Sequence, residues 1–273
     1  MTKFKQTYPT DLKCNEWKLI EDLFAPSQRG RPRKWSMWRI MNAILYVNRT
    51  GCQWRMLPVN FPPWSTVYGY CWRWMRSGLW ARLNARLVGV VRQQQGRQPE
   101  PSAAIMDSQS VKTSEGGEGR GIDVYKQTPG RKRHIVVDTL GLLLLVIVHS
   151  ASIPDNTGGK LILQRLFDQI KFTIHNVYCR LQRIWADGGY KDMVDYAYRQ
   201  FGWTLDIVRR PEGTKGFKIL PHRWVVERTF GWLGRYRRLS RDFEHTVQAS
   251  ESMVYLASIR RMLKHATAPK KPI

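Results

Sequence analysis

Apolar residues recur every third or fourth position through the first ninety residues, then give way after residue 102 to short continuous runs. The first regime predicts helices. Leu12–Phe24 carries Trp17, Ile20, Leu23 and Phe24 on one side. Ser36–Thr50 has Ile40, Ala43, Ile44 and Val47 as its buried stripe, with Ser36 placed as N-cap and Gly51 as C-cap. A turn region, Cys52–Pro63, leads to a third helix that opens near Trp64 or Ser65, shows Val67, Tyr70, Cys71 and Trp74, and ends at Gly78. Leu79–Val91 resumes as a fourth helix with Leu83, Leu87 and Val90 inward.

The polar Pro/Gly stretch Gln93–Ser102 reads as a linker. Beyond it, Ala103–Met106 is a strand delivering Asp107, and Thr113–Gly130 is a Gly-rich polar loop. Arg131–Asp138 opens with RKRH and continues as a strand, turns at Asp138–Gly141, and returns as the buried strand Leu142–Val148. Gly158–Lys171 is a helix, Ile184–Ala186 a strand delivering Asp187, Lys191–Phe201 a helix and Thr204–Val208 a strand. Pro221–Arg241 reads as one helix through Val226, Phe230 and Leu233, and Ala249–His265 as another. These elements predict a mixed-sheet α/β domain over 103–273, able to fold by itself, behind a small all-α, helix-turn-helix-like domain over 1–92.

Charge narrows the partners. The net charge is +24 and the pI near 10.3, and no Asp or Glu occurs from Leu23 to Pro99. Such a balance calls for a polyanion, most simply double-stranded DNA. The loop with Arg31, Arg33 and Lys34 predicts a basic arm that follows a phosphate backbone or enters a minor groove. Arg73 and Arg76 fall on the exposed side of the third helix, and Arg131, Lys132 and Arg133 form a further basic run. The longest apolar run is too short to span a bilayer, and the first residues lack a signal-peptide core. Four unpaired cysteines indicate neither zinc nor disulfides and fit a reducing cytoplasm.

Chemistry concentrates at carboxylates that follow apolar runs or sit in mid-helix, since such a group is costly unless paired or bound to a metal. Asp138 has a local explanation as a turn opener. Asp107, Asp187 and Glu227 do not. An all-oxygen set without histidine or thiolate suits Mg²⁺ or Mn²⁺, two of which can drive phosphodiester chemistry. Arg223, Arg228, Arg235 and Arg238 on the glutamate's helix are placed to hold phosphates. Gly231 and Gly234, each costing about 1 kcal/mol in a helix, leave room for a bulky group to approach the backbone.

At these residues the chain resembles bacterial insertion-sequence transposases of the insertion-sequence-five group, DDE enzymes with a ribonuclease-H-like core. Asp107 in AIMDSQSVK, Asp187 in WADGGY and Glu227 in RWVVERTFGWLGRYRRL match their three acidic motifs. GRPRKWS, NAILYVNRTGCQWRMLP and FPPWSTVY resemble the N-terminal domain of that group, and GRKRHIVVDTLGLLL its hairpin. The resemblance implies that Asp107, Asp187 and Glu227 are catalytic metal-binding carboxylates. It also implies binding to terminal inverted repeats, 3′-hydroxyl attack on target DNA, a homodimer or higher oligomer, and action on a bacterial nucleoid. The position seven after the glutamate, basic in relatives, is Gly234, followed by Arg235. Two other functions compete: a catalytically silent DNA-binding repressor derived from a transposase, and a nuclease of the same core acting on hybrids or branched DNA.

Overall fold

The computed structural model of the chain describes residues 6–24, 33–114, 116–172, 179–209 and 222–268. The expected first helix is broken: α1 covers only Cys14–Lys18, and Glu21–Phe24 is a 3-10 turn. Helix α2 (Met37–Thr50) begins at an N-cap Ser36 that accepts from Arg39 N and ends at Gly51 in the left-handed region, φ 73°. Helix α3 is Trp64–Arg76, and α4 (Leu79–Gln94) runs into the polar stretch expected to be a linker.

Strand β1 (Ala103–Lys112) is longer than its apolar run, so Asp107 lies in mid-strand and not at an end. The Gly-rich segment contains a small strand, β2 (Gly121–Asp123), and β3 (Thr128–Asp138) takes in the whole RKRH run. Strand β4 (Leu143–Ser150), helix α5 (Asp155–Phe172) and strand β5 (Arg183–Ala186) follow. A 3-10 turn (Gly188–Met193), α6 (Val194–Phe201) and β6 (Thr204–Ile207) come next. Across the sheet the main order is β4-β3-β1-β5-β6, with β2 beside the first residues of β3. The pairs β4-β3 and β3-β1 are antiparallel, whereas β1-β5 and β5-β6 are parallel. This mixed order is the one expected of a ribonuclease-H-like core.

The predicted helix Pro221–Arg241 divides into α7 (Arg223–Leu233) and α8 (Arg237–Ser240). The last turn of α7 tightens, with Tyr236 N donating to Leu233 O at 2.9 Å, and Tyr236 becomes extended and buried. The break lets α8 lie against the end of α2, where a Cβ on Gly51 would sit 3.0 Å from Arg237 Cβ. Glycine therefore serves there both as a left-handed cap and as a point of close approach.

Helix α9 (Val247–Thr267) is buried along most of its length and packs on α4, β4 and α2. One continuous apolar core runs from Leu12, Ile40 and Leu83 through Ile105 and Val146 to Leu256 and Leu263. The helical region and the sheet thus share α9. Glu16 and Arg260, both buried, form a 2.7 Å ion pair that ties α1 to α9. Among the described residues no helix is long and apolar enough to cross a membrane.

Candidate active site

The β1-β5 register pairs Ile105 with Trp185, so Asp107 and Asp187 stand two residues further along neighbouring parallel strands. Helix α7 is fixed above them at two points. The ring of His222, just before the helix, stacks on Trp185 at 4.0 Å with planes 7° apart. Further along, Arg228 donates to Leu140 O and Thr229 to Gly141 O, both at 3.1 Å, which clamps α7 to the β3-β4 turn. Arg223 then reaches between two carboxylates. Its Nη2 lies 3.6 Å from Asp187 Oδ2 and 3.6 Å from Glu227 Oε1. These contacts are longer than the roughly 2.7–2.9 Å of strong charge-assisted hydrogen bonds, so the guanidinium is a loose counter-ion.

Asp107 accepts from Ser108 N at 2.7 Å, but burial, with the charge of Asp187 adding to it, pushes its carboxyl up to about 6. Asp187 caps the following 3-10 turn by accepting from Gly189 N at 2.9 Å. A Cβ on Gly189 would meet Asp187 Oδ1 at 3.1 Å and Asp155 Oδ2 at 3.9 Å, which brings a fourth acid to the site. Asp155 receives Ser108 Oγ and Lys132 Nζ, each at 2.9 Å. Burial alone would raise its carboxyl, but Lys132 and Ser108 hold it below the usual range. Tyr190 is buried among these groups, and desolvation, then Asp107 and Asp155, raise its hydroxyl well above the ordinary value. Asp155 is not visible as a site residue from sequence, because an aspartate opening a helix reads as ordinary capping.

The basic residues divide into two groups. Arg33, Lys34, Arg73, Arg76 and Arg235 are exposed, whereas Arg31 lies outside the described residues. Along α3 the exposed rings Trp64, Tyr68 and Trp72 recur every four residues, with Arg55 over Trp64 and Arg76 over Trp72. The RKRH run corrects the expectation. Arg131, Lys132 and Arg133 are 0%, 4% and 2% exposed. Arg131 binds the carbonyls of Glu118, Glu244 and His245 and pairs with Asp242. Lys132 meets Asp155, Asp123 and Ile153 O, and Arg133 donates to Leu239 O. Arg238 is likewise buried against Glu244 at 2.6 Å. Their charges hold strands and loops together and do not face outward. Gly231 has open space around it, and Gly234 meets only carbonyls of its own helix at 3.6 Å.

Among the described residues no three Asp, Glu, His or Cys side chains are close enough to enclose an ion. The donor chemistry still fits a hard cation: the acids supply only oxygen, Asp107 is desolvated, and Arg223 places a positive charge between two of them.

Residues 98–260, which span all three acids, match the family model "Transposase DDE domain". The chain belongs to the DDE transposases. Residues 12–84 match a second model, "Putative transposase of IS4/5 family". Two relatives come from Burkholderia cepacia. The "Insertion element IS402 uncharacterized 16.2 kDa protein" is 33% identical over 45% of this chain and 84% of its own length. The "Putative transposase for insertion sequence element IS402" is 37% identical over 42% of this chain, and the match spans 54% of that protein. No solved structure matches the chain.

Proposed function

We propose that this transposase hydrolyses phosphodiester bonds at the ends of an insertion sequence and joins the freed 3′-hydroxyl to target DNA. The observation that carries the reading is that Asp107 and Asp187 stand on neighbouring parallel strands while Arg223 on α7 bridges Asp187 and Glu227. Asp107, Asp187 and Glu227 are the proposed metal ligands. Mg²⁺ or Mn²⁺, two ions in this reading, would activate the attacking oxygen and stabilise the leaving one. Arg223 balances the carboxylates, and with a cation bound there it would be available to a phosphate. Asp155, Ser108 and Lys132 position β1 and the turn after β5 from behind.

Binding to terminal inverted repeats is assigned to the helical region. The exposed aromatic and arginine face of α3 is a surface of the kind that grips nucleic acid by charge and stacking. A homodimer or higher assembly brings both ends together. The test is cleavage of labelled element-end duplex with Mg²⁺. The full chain should cut and join, and Asp107→Asn, Asp187→Asn and Glu227→Gln should each abolish both steps while leaving DNA binding intact. Cleavage by all three variants would remove the site. A second reading, a DNA-binding protein that does not cut, draws on the position of Arg223. Salt-sensitive binding without cleavage under Mg²⁺ or Mn²⁺ would select it.

A further inference from the structure

A cavity of about 620 Å³ lies at the other end of α7 from Arg223, where the N-terminal segment, α2, the α7-α8 break and α9 meet. Its walls include Tyr46, Arg49, Trp232, Arg235, Arg261 and Lys264, and among the described residues no carboxylate lines it. The cations are not neutralised by their partners. Arg49 donates to Arg235 O at 2.6 Å and Arg261 to Gly141 O at 3.3 Å, and both acceptors are uncharged carbonyls. The two acids whose charges reach this group are already paired, Glu16 with Arg260 and Asp138 with Arg92. Arg261 lies 3.2 Å above the Trp232 ring, and Arg49 lies 4.9 Å above that of Tyr236. Stacking therefore holds the guanidinium groups in place before any anion arrives, which lowers the entropy lost on binding one. Bringing like charges together on a partly dry surface opposes folding unless an anion relieves it.

From this arrangement we infer that the cavity binds a phosphate-bearing ligand of nucleotide size. Arg49, Arg261 and Lys264 hold the phosphate, Trp232 keeps Arg261 in place, and Tyr46 lines the space left for the flat remainder. The volume lies within the range of small-ligand sites, roughly 300–1,000 Å³. Two sources share this chemistry, a nucleotide of a bound DNA strand and a free nucleoside phosphate. Trp232 is five residues from Glu227, roughly 7.5 Å along the helix axis and about 140° around it, so a strand that crosses the carboxylates reaches the cavity by curving around α7. The DNA source rests on the function proposed above; occupancy by a free nucleotide does not.

Pyridoxal phosphate, a flat aldehyde carrying a phosphate, tests the site on the full chain. Its aldehyde condenses with Lys264 Nζ with loss of water, borohydride reduces the imine to a stable amine, and mass spectrometry locates it. Lys264 should be labelled about tenfold faster than exposed Lys160, the factor expected of one or two charge-assisted contacts. Pyridoxal without the phosphate should show no such preference. Arg261→Gln should remove the preference. Arg49→Gln, at an exposed position, should do the same without disturbing the Trp232 stack. Protection of Lys264 by thymidine monophosphate and by duplex DNA together establishes a subsite for DNA. Protection by the monophosphate alone establishes a free nucleotide as occupant. Protection by neither, or equal labelling of Lys160 and Lys264, overturns the inference. Labelling requires no turnover, so loss of the catalytic reading would leave this result standing.

Discussion

Replacing Asp107 by asparagine should make the metal-free protein more stable while it removes the proposed activity. The carboxyl is pushed from 3.8 up to about 6 by burial and then by the charge of Asp187. Each unit corresponds to about 1.36 kcal/mol, so the ionised form opposes folding by at most about 3 kcal/mol at neutral pH. Partial exposure reduces the expected figure to about 1–2 kcal/mol. Between pH 3.8 and about 6 the folded chain holds this proton more tightly than the unfolded chain, so stability falls as pH rises through that window. Roughly half of the loss has developed by about pH 5. Asparagine still accepts from Ser108 N and carries no charge at any pH. Urea denaturation in EDTA at about pH 5 and about pH 7.5 measures both quantities. The Asp107→Asn protein should exceed the unsubstituted chain at the higher pH, and the gap should narrow at the lower. Mg²⁺ should then stabilise the unsubstituted chain alone, because only an intact ligand set binds the ion in the folded state. A variant no more stable at the higher pH, or a gap independent of pH, would refute the reasoning.

Three further outcomes follow from the packing. Glu16→Gln leaves Arg260 buried beside a neutral partner, and chemical denaturation should show a loss of about 3–5 kcal/mol. His134 and His149 lie 2.8 Å apart, and burial holds both below the ordinary histidine range, aided at His134 by the charge of His149. The unfolded chain therefore binds protons that the folded chain does not, so stability should fall as pH drops below about 6.5, and substituting both histidines with glutamine should flatten that limb. Deleting residues 1–102 should leave an insoluble or unfolded remainder by circular dichroism, because α4 and α2 cover the buried side of α9. A soluble, cooperatively melting 103–273 fragment would show that α9 does not need that cover.

Much of the candidate site is legible from local pattern. Asp187 follows an apolar strand and precedes two glycines, a local signature that the fold reproduces at the end of β5. Asp107 reads as a strand end because its apolar run stops there, yet pairing with β3 and β5 extends the strand through polar residues. Asp155 escapes a reading of the sequence because its partners Ser108 and Lys132 lie 47 and 23 positions away, beyond any periodicity. The arginines of β3 mislead for the same reason. A run of basic residues reads as solvated, and only the loops at 116–118 and 242–245, folding back over the sheet, supply the carbonyls and carboxylate that let Arg131 be buried.

The amino-acid sequence by itself determined the helical N-terminal region, the succession of strands and helices along the chain and the cationic character, and it named three candidate acids, because periodicity, capping and composition act within a few residues. Tertiary structure alone decided which charges face outward and which are neutralised inside. It also decided that α9 joins the two regions into one core, that Arg223 stands between Asp187 and Glu227, and that uncompensated cations converge on a cavity. Those outcomes depend on partners tens to hundreds of positions apart. Burial and the field at a side chain are set by what the folded chain brings beside it, which no local pattern encodes.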